Sequence, residues 1–141
     1  MIKYAIKIIQ GNNLTLEEFI HYSLNSSENK KIFTLNITDE ACKAIKKQTK
    51  LNICEYKFIL EEKYIRHVKN YHKEDLHLLP ELPNILNNFS HVEKSLTRNK
   101  QTGANEVSLV FRKKIDDDVI QMVSLRVMRD KILSLKTFFR P

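Results

Sequence analysis

The chain is short of the residues that interrupt regular structure. Among 141 residues there are only 2 glycines and 3 prolines, which excludes a collagen-like, low-complexity or loop-dominated architecture. No apolar run approaches the roughly 20 residues that a membrane-spanning helix needs. The opening stretch, residues 1–13, carries lysines inside its short apolar segment and lacks a small-residue cleavage site. It therefore reads as a strand rather than a secretory signal. The two cysteines, Cys42 and Cys54, do not have a metal-binding spacing, and buried free thiols are the first expectation, ahead of a disulfide. The glycine-rich phosphate loop, the G-x-G-x-x-G fingerprint, the G-x-S-x-G elbow and the H-E-x-x-H zinc helix are all absent. So are the aromatic signature of an RRM and the reading helix of common DNA binders.

Charge is what the chain has in excess. It carries 24 Lys and Arg against 17 Asp and Glu, a formal net charge of +7. From Glu93 onward the count is 11 against 6, so most of the excess lies in the last third. Clustered cations release counterions from a phosphate backbone, which points to a polyanionic partner. A length of 141 residues suits one core. The expected organisation is one domain, 1–141, with 1–37 as an accessory βαβ lobe and 38–141 as the main core.

Periodicity predicts a strand over Ile2–Ile9, then a helix capped by Thr15 and running through Leu24. A strand at Lys31–Ile37 follows, and Thr38 is placed to cap a helix over Glu40–Lys50. Leu51–Leu60 reads as an apolar link. Glu61–His72 is the clearest helix, with Tyr64, Ile65, Val68 and Tyr71 at helical spacing and Glu61, Glu62, Lys63 and Arg66 assigned to its wetter side. A short helix over Pro83–Asn87 precedes four extended segments, Phe89–Leu96, Glu106–Lys113, Val119–Met128 and Ile132–Phe139. Their short connections imply an antiparallel meander. The expected class is α+β, with helices packed on a C-terminal four-stranded antiparallel sheet.

The segment IRHVKNYHKED carries the most chemistry. His72 follows Ile65 and Val68 at inward-facing spacing, and His67 lies between Tyr64 and Tyr71. An imidazole can take the proton of a ribose 2′-hydroxyl or protonate a leaving 5′-oxygen near neutral pH. RNA then supplies its own nucleophile, and a cation must stabilise the phosphorane. Arg112, Ser124, Arg126 and Thr137 project from strands among apolar neighbours, where a polar group needs a partner or a cleft. Lys69, Lys73, Lys94, Arg98, Lys100, Lys113 and Lys114 are the candidate phosphate contacts. No metal set and no cofactor is expected.

The helix with RHVKNYHKED is followed by LPELPNILNNFSHVEKS and then by EVSLVFRKK, VIQMVSLRVM and ILSLKTFF. This order resembles the phage-associated branch of the barnase/EndoU/colicin/RelE-like nucleases, which also occur as toxin tips in contact-dependent inhibition systems. The resemblance covers about Thr38–Phe139. It implies a four-stranded antiparallel sheet on helices, with RNA in a cleft on the sheet. His67 or His72 would be the general acid/base, Arg112 and Arg126 phosphate or transition-state contacts, and Thr137 a positioning hydroxyl. The expected activity is metal-independent RNA cleavage to a 2′,3′-cyclic phosphate, by a bacterial or phage toxin acting in the cytoplasm. tRNA is a candidate substrate, an immunity or antitoxin protein a candidate partner, and no membrane is involved. The alternative is a non-catalytic RNA- or protein-binding module of the same fold.

Overall fold

The computed structural model describes residues 14–141, so the expected strand Ile2–Ile9 lies outside the described residues. Thr15 starts the first described helix, α1 (Leu16–Leu24). Its hydroxyl accepts from the Glu18 amide at 3.2 Å, while Glu18 accepts from the Thr15 amide at 2.9 Å, satisfying two orphan donors reciprocally. Thr38 caps α2 (Asp39–Thr49) with a single bond, accepting from the Ala41 amide at 3.1 Å. With few glycines available, left-handed backbone falls to Lys50, Asp116 and Lys131, at φ 67°, 55° and 52°. Lys50 ends α2 in the position where glycine is usual.

The remaining elements are β1 (Ile32–Leu35), β2 (Lys57–Glu61), α3 (Glu62–Tyr71), a 3₁₀ segment (Lys73–Glu81) and α4 (Leu82–Asn87). The strands β3 (His91–Arg98), β4 (Asn105–Ile115), β5 (Asp118–Val127) and β6 (Ile132–Phe139) complete the order. The last four form the expected antiparallel meander. The sheet is larger than expected, however. It has six strands in the order β1-β2-β6-β5-β4-β3 and is mixed, because β2 joins β6 in parallel and β1 joins β2 antiparallel. The expected four-stranded antiparallel sheet is thus corrected by the segment read as a link. Phe58, Ile59 and Leu60 are all buried, since a strand covered on both faces shows an apolar run in place of alternation.

One face of the sheet carries the main core, including Phe19, Phe58, Ile65, Phe111 and Phe138 beneath the helices. The other face holds a smaller cluster of Ile32, Ile59 and Ile132. α1 contributes Leu16, Phe19 and Ile20 to the main core.

Two further expectations fail for physical reasons. Glu62, assigned to the wet side of its helix, is fully buried. Its carboxylate accepts from the Lys30 and Lys31 amides at 2.8 and 2.6 Å, and Arg66 lies 3.7 Å from its other oxygen. Arg66 also donates to the Ser23 and Glu28 carbonyls, so the pair ties the chain before β1 to α3. The cysteines are bonded to each other, with Cα atoms 5.2 Å apart, in place of the expected free thiols. Ile53 is fully buried, and this draws the turn carrying Cys54 against α2, where Cys42 points inward.

Candidate active site

The site begins where α3 ends. His72 departs from the helix, at φ −140° and ψ 46°, while its amide still donates to the Val68 carbonyl at 2.8 Å. It therefore turns off the inward line of Ile65 and Val68 that the spacing suggested. Its ring stacks on Phe139 with centroids 4.9 Å apart and planes 18° apart. His67 sits 6.1 Å from His72 and 4.7 Å from the ring of Tyr71. Burial first, and then the neighbouring charge of His72, lower the pKa of His67 below its ordinary value. His67 is consequently neutral at neutral pH, the state required of a base.

A second group closes on His72 from the 3₁₀ segment. A ring nitrogen of His72 and one oxygen each of Glu74 and Asp75 lie within 4.8 Å of one another. Asp75 is buried and both its oxygens are engaged by Arg140, one by the Arg140 amide at 3.0 Å and the other by its Nε. Arg140 also donates to Asp118 at 3.2 Å and to the Glu74 carbonyl at 3.5 Å. These carboxylates hold the guanidinium firmly charged. The His72, Glu74 and Asp75 donors could hold a cation in principle, but one bound there lies against the Arg140 guanidinium on the same Asp75 carboxylate. The donor set thus fits an arginine better than a metal ion.

Arg112 is reached from His72 in steps across the sheet. Phe139 pairs with Gln121 and Gln121 with Arg112. The Gln121 amide oxygen accepts from Arg112 Nε at 3.1 Å. Arg112 also pairs with Glu93 at 2.8 Å, and His91 lies 3.9 Å from Glu93. All of these alternate with core residues such as Phe111, Met122 and Phe138, so they occupy the outer face. Arg112 stands two strand spacings, about 10 Å, from the strand of Phe139.

Arg126 does not join Arg112. It shares the core-facing parity of Met122 and Ser124 and lies five residues beyond Gln121, about 17 Å along the strand. Alternation thus puts Arg112 and Arg126, both expected as phosphate or transition-state contacts, on opposite faces of the sheet. Ser124 is fully buried, and neither its hydroxyl nor Arg126 Nε has a hydrogen-bond partner. Thr137 faces outward opposite Val123, its buried hydroxyl also unpartnered. Val123 pairs with Thr137 and Ser124 with Leu135, so Lys136 is the extra residue of a β-bulge. Bulges are common beside active sites because they re-aim side chains.

The candidate phosphate contacts are divided between two ends of the sheet. Lys69 and Lys73 flank the histidines, and Lys113 and Lys114 lie near the turn between β4 and β5. Lys113 is already donating to the Asn88 carbonyl at 2.6 Å. Arg98 and Lys100 lie at the opposite end, by the turn between β3 and β4, and Lys94 is midway along the outer strand. Sequence reasoning missed Asp75, Gln121, Lys136, Phe139 and Arg140. Only the acidic end of HKED and the aromatic close of the last strand hinted at them.

None of the described helices is long and apolar enough to cross a membrane. A family model described as phage-Barnase-EndoU-ColicinE5/D-RelE like nuclease3 matches residues 36–140. No curated protein and no solved structure matches the chain.

Proposed function

The chain belongs to this phage-Barnase-EndoU-ColicinE5/D-RelE like nuclease family, and on that footing we propose that it is a metal-independent endoribonuclease. The observation that carries the reading is the contact between two imidazoles of different environment, His67 and His72, at one end of the sheet. His67, kept neutral by burial, takes the proton of the ribose 2′-hydroxyl. The resulting 2′-oxygen attacks the adjacent phosphorus, and His72 returns a proton to the departing 5′-oxygen. The products are a 2′,3′-cyclic phosphate and a free 5′-hydroxyl. Stacking on Phe139 holds the plane of His72, and Arg140 holds Asp75 beside it.

Lys69, Lys73 and Lys136 are the cations available to phosphate on this side, Arg112 joins them by exchanging Glu93 for the phosphate, and Thr137 is the positioning hydroxyl. Tyr71 is 70% exposed beside His67, a platform on which a base can stack. Ser124 and Arg126 have no part in this scheme. The same proposal makes the chain a bacterial or phage toxin that acts on RNA, with tRNA as the substrate to try first, in the cytoplasm. A net charge of +7 suits an acidic immunity or antitoxin protein.

The test is incubation with total tRNA in EDTA followed by end-group analysis. Cyclic phosphate ends that disappear in His67→Ala and in His72→Ala support the reading. Cleavage that persists in the double variant refutes the assignment. One observation favours a second reading, a binding module without turnover: the guanidinium of Arg112 is already taken up by Glu93 and Gln121. That reading predicts salt-sensitive RNA binding and no new ends.

A further inference from the structure

At the end of the sheet away from the histidines there is a cavity of about 610 Å³ lined by Lys43, Lys46, Tyr56, Met128, Lys131 and the Glu55 that pairs with it, with Asn52 and Cys54 completing its wall. We propose that this cavity is a second RNA-binding site that captures one nucleotide remote from the cut, with its phosphate on Lys43 and Lys46 and its base against Tyr56 and Met128. The inference rests on the ribonuclease reading for its biological meaning, and on separate residues for its evidence.

Lys43 and Lys46 are three residues apart in α2 and both exposed, so they stand on one helical face. Among the described residues neither ammonium group is engaged in an ion pair or hydrogen bond, whereas that of Lys131 is held by Glu55 at 2.8 Å. Two uncommitted ammonium groups beside one cavity attract an anion. The rest of the lining is of a different kind. Tyr56 is packed against the core on one side, and Met128 is 63% exposed. A flat ring and a polarisable thioether receive a planar, weakly polar group rather than a bare ion. Phosphate and base together make the ligand a nucleotide. Arg98 and Lys100, by the neighbouring β3–β4 turn, lie at this same end of the sheet.

The disulfide joins the two walls, since Cys42 belongs to the helix of the lysines and Cys54 to the turn before Tyr56. The cavity opens beside Met128 and Lys131, at the start of β6, while His72 stacks on Phe139 at its other end. The seven residue steps between Ile132 and Phe139 span about 24 Å. A tetranucleotide bound at the histidines is too short to occupy both places, and a 20-nucleotide strand is long enough.

The experiment compares 4- and 20-nucleotide single-stranded RNAs with the wild type and with Lys43→Ala/Lys46→Ala, scored by affinity and by kcat/KM. Affinity is measured with 2′-O-methyl RNA, which lacks the attacking hydroxyl and so cannot be cut. The double variant is expected to bind the 20-mer about tenfold more weakly and to lower the slope of log K against log salt by about 0.7, the value for one lost phosphate contact on a single strand. The ratio of kcat/KM for the long RNA to that for the short one should fall by a similar factor, and Lys43→Arg/Lys46→Arg should restore it. Equal loss for both lengths, or none for the 20-mer, overturns the proposal. If the wild type cuts neither RNA the nuclease reading fails, and the affinity arm still decides whether the second site exists. Binding of an acidic protein that these substitutions abolish, with RNA affinity unchanged, also overturns it.

Discussion

The two ends of the sheet are furnished differently. At the histidine end, rings touch rings and the acidic groups beside them are paired, Asp75 with Arg140 and Glu93 with Arg112, with Lys69, Lys73 and Lys136 around them. At the cavity end, lysines stand uncommitted beside an aromatic wall and a disulfide. A net positive charge alone would have favoured the second end as the place of reaction. Chemistry needs groups whose protonation and orientation are fixed, which follows from pairing and burial, while capture of a polyanion needs charges that remain available.

The sharpest way to break this contrast is to remove an imidazole. His67→Ala or His72→Ala should lower cleavage of tRNA by about 10²- to 10⁴-fold, with the urea midpoint nearly unchanged. A loss of less than tenfold would strip the histidine end of its role. Glu62→Ala comes next, since it leaves two backbone donors of Lys30 and Lys31 without an acceptor. A cost of about 3 kcal/mol in urea unfolding is expected, felt at both ends because the residue anchors α3. Reducing the disulfide, or Cys54→Ser, should cost about 2–3 kcal/mol, given that the cysteines are only 12 residues apart. Affinity for long RNA should weaken with it, whereas cutting of short RNA should hold.

A smaller effect comes from titration. Burial and His72 lower the pKa of His67 beneath its ordinary 6.5. Between the lowered value and 6.5 the unfolded chain therefore binds more protons than the folded one. This contribution to stability is complete above pH 6.5 and is lost as the pH falls through that window. Urea midpoints at pH 7.5 and 5 should separate less in His67→Gln than in the wild type. Smallest of all, Lys50→Gly should stabilise the fold by about 0.5–1 kcal/mol by relieving the left-handed backbone at φ 67°. Because Lys50 belongs to neither end, no change in cleavage should accompany it.

What the sequence made legible was local. Thr15 and Thr38 cap helices through partners three residues away, and the meander is announced by alternation and short turns. The family resemblance was legible too, in the order of the histidine helix and the closing strands. The remainder depends on distant partners. Asp75 and Arg140 are 65 positions apart, so neither looked like part of the histidine cluster. Glu62 looked wet because periodicity cannot reveal that the amides of Lys30 and Lys31 fold against it. Arg112 and Arg126 looked alike as strand cations, and only the parity of Phe111 and Met122 separates them.

Glu61 closes β2 and Glu62 opens α3, with no residue between them. Strand and helix thus form one continuous piece of backbone, and at 1.5 Å per residue the ten residues of α3 carry a change in the tilt of β2 about 15 Å onward to the imidazoles. The hidden margin of the sheet, where β1 is laced to β2, is accordingly the foundation on which the aim of His67 and His72 stands.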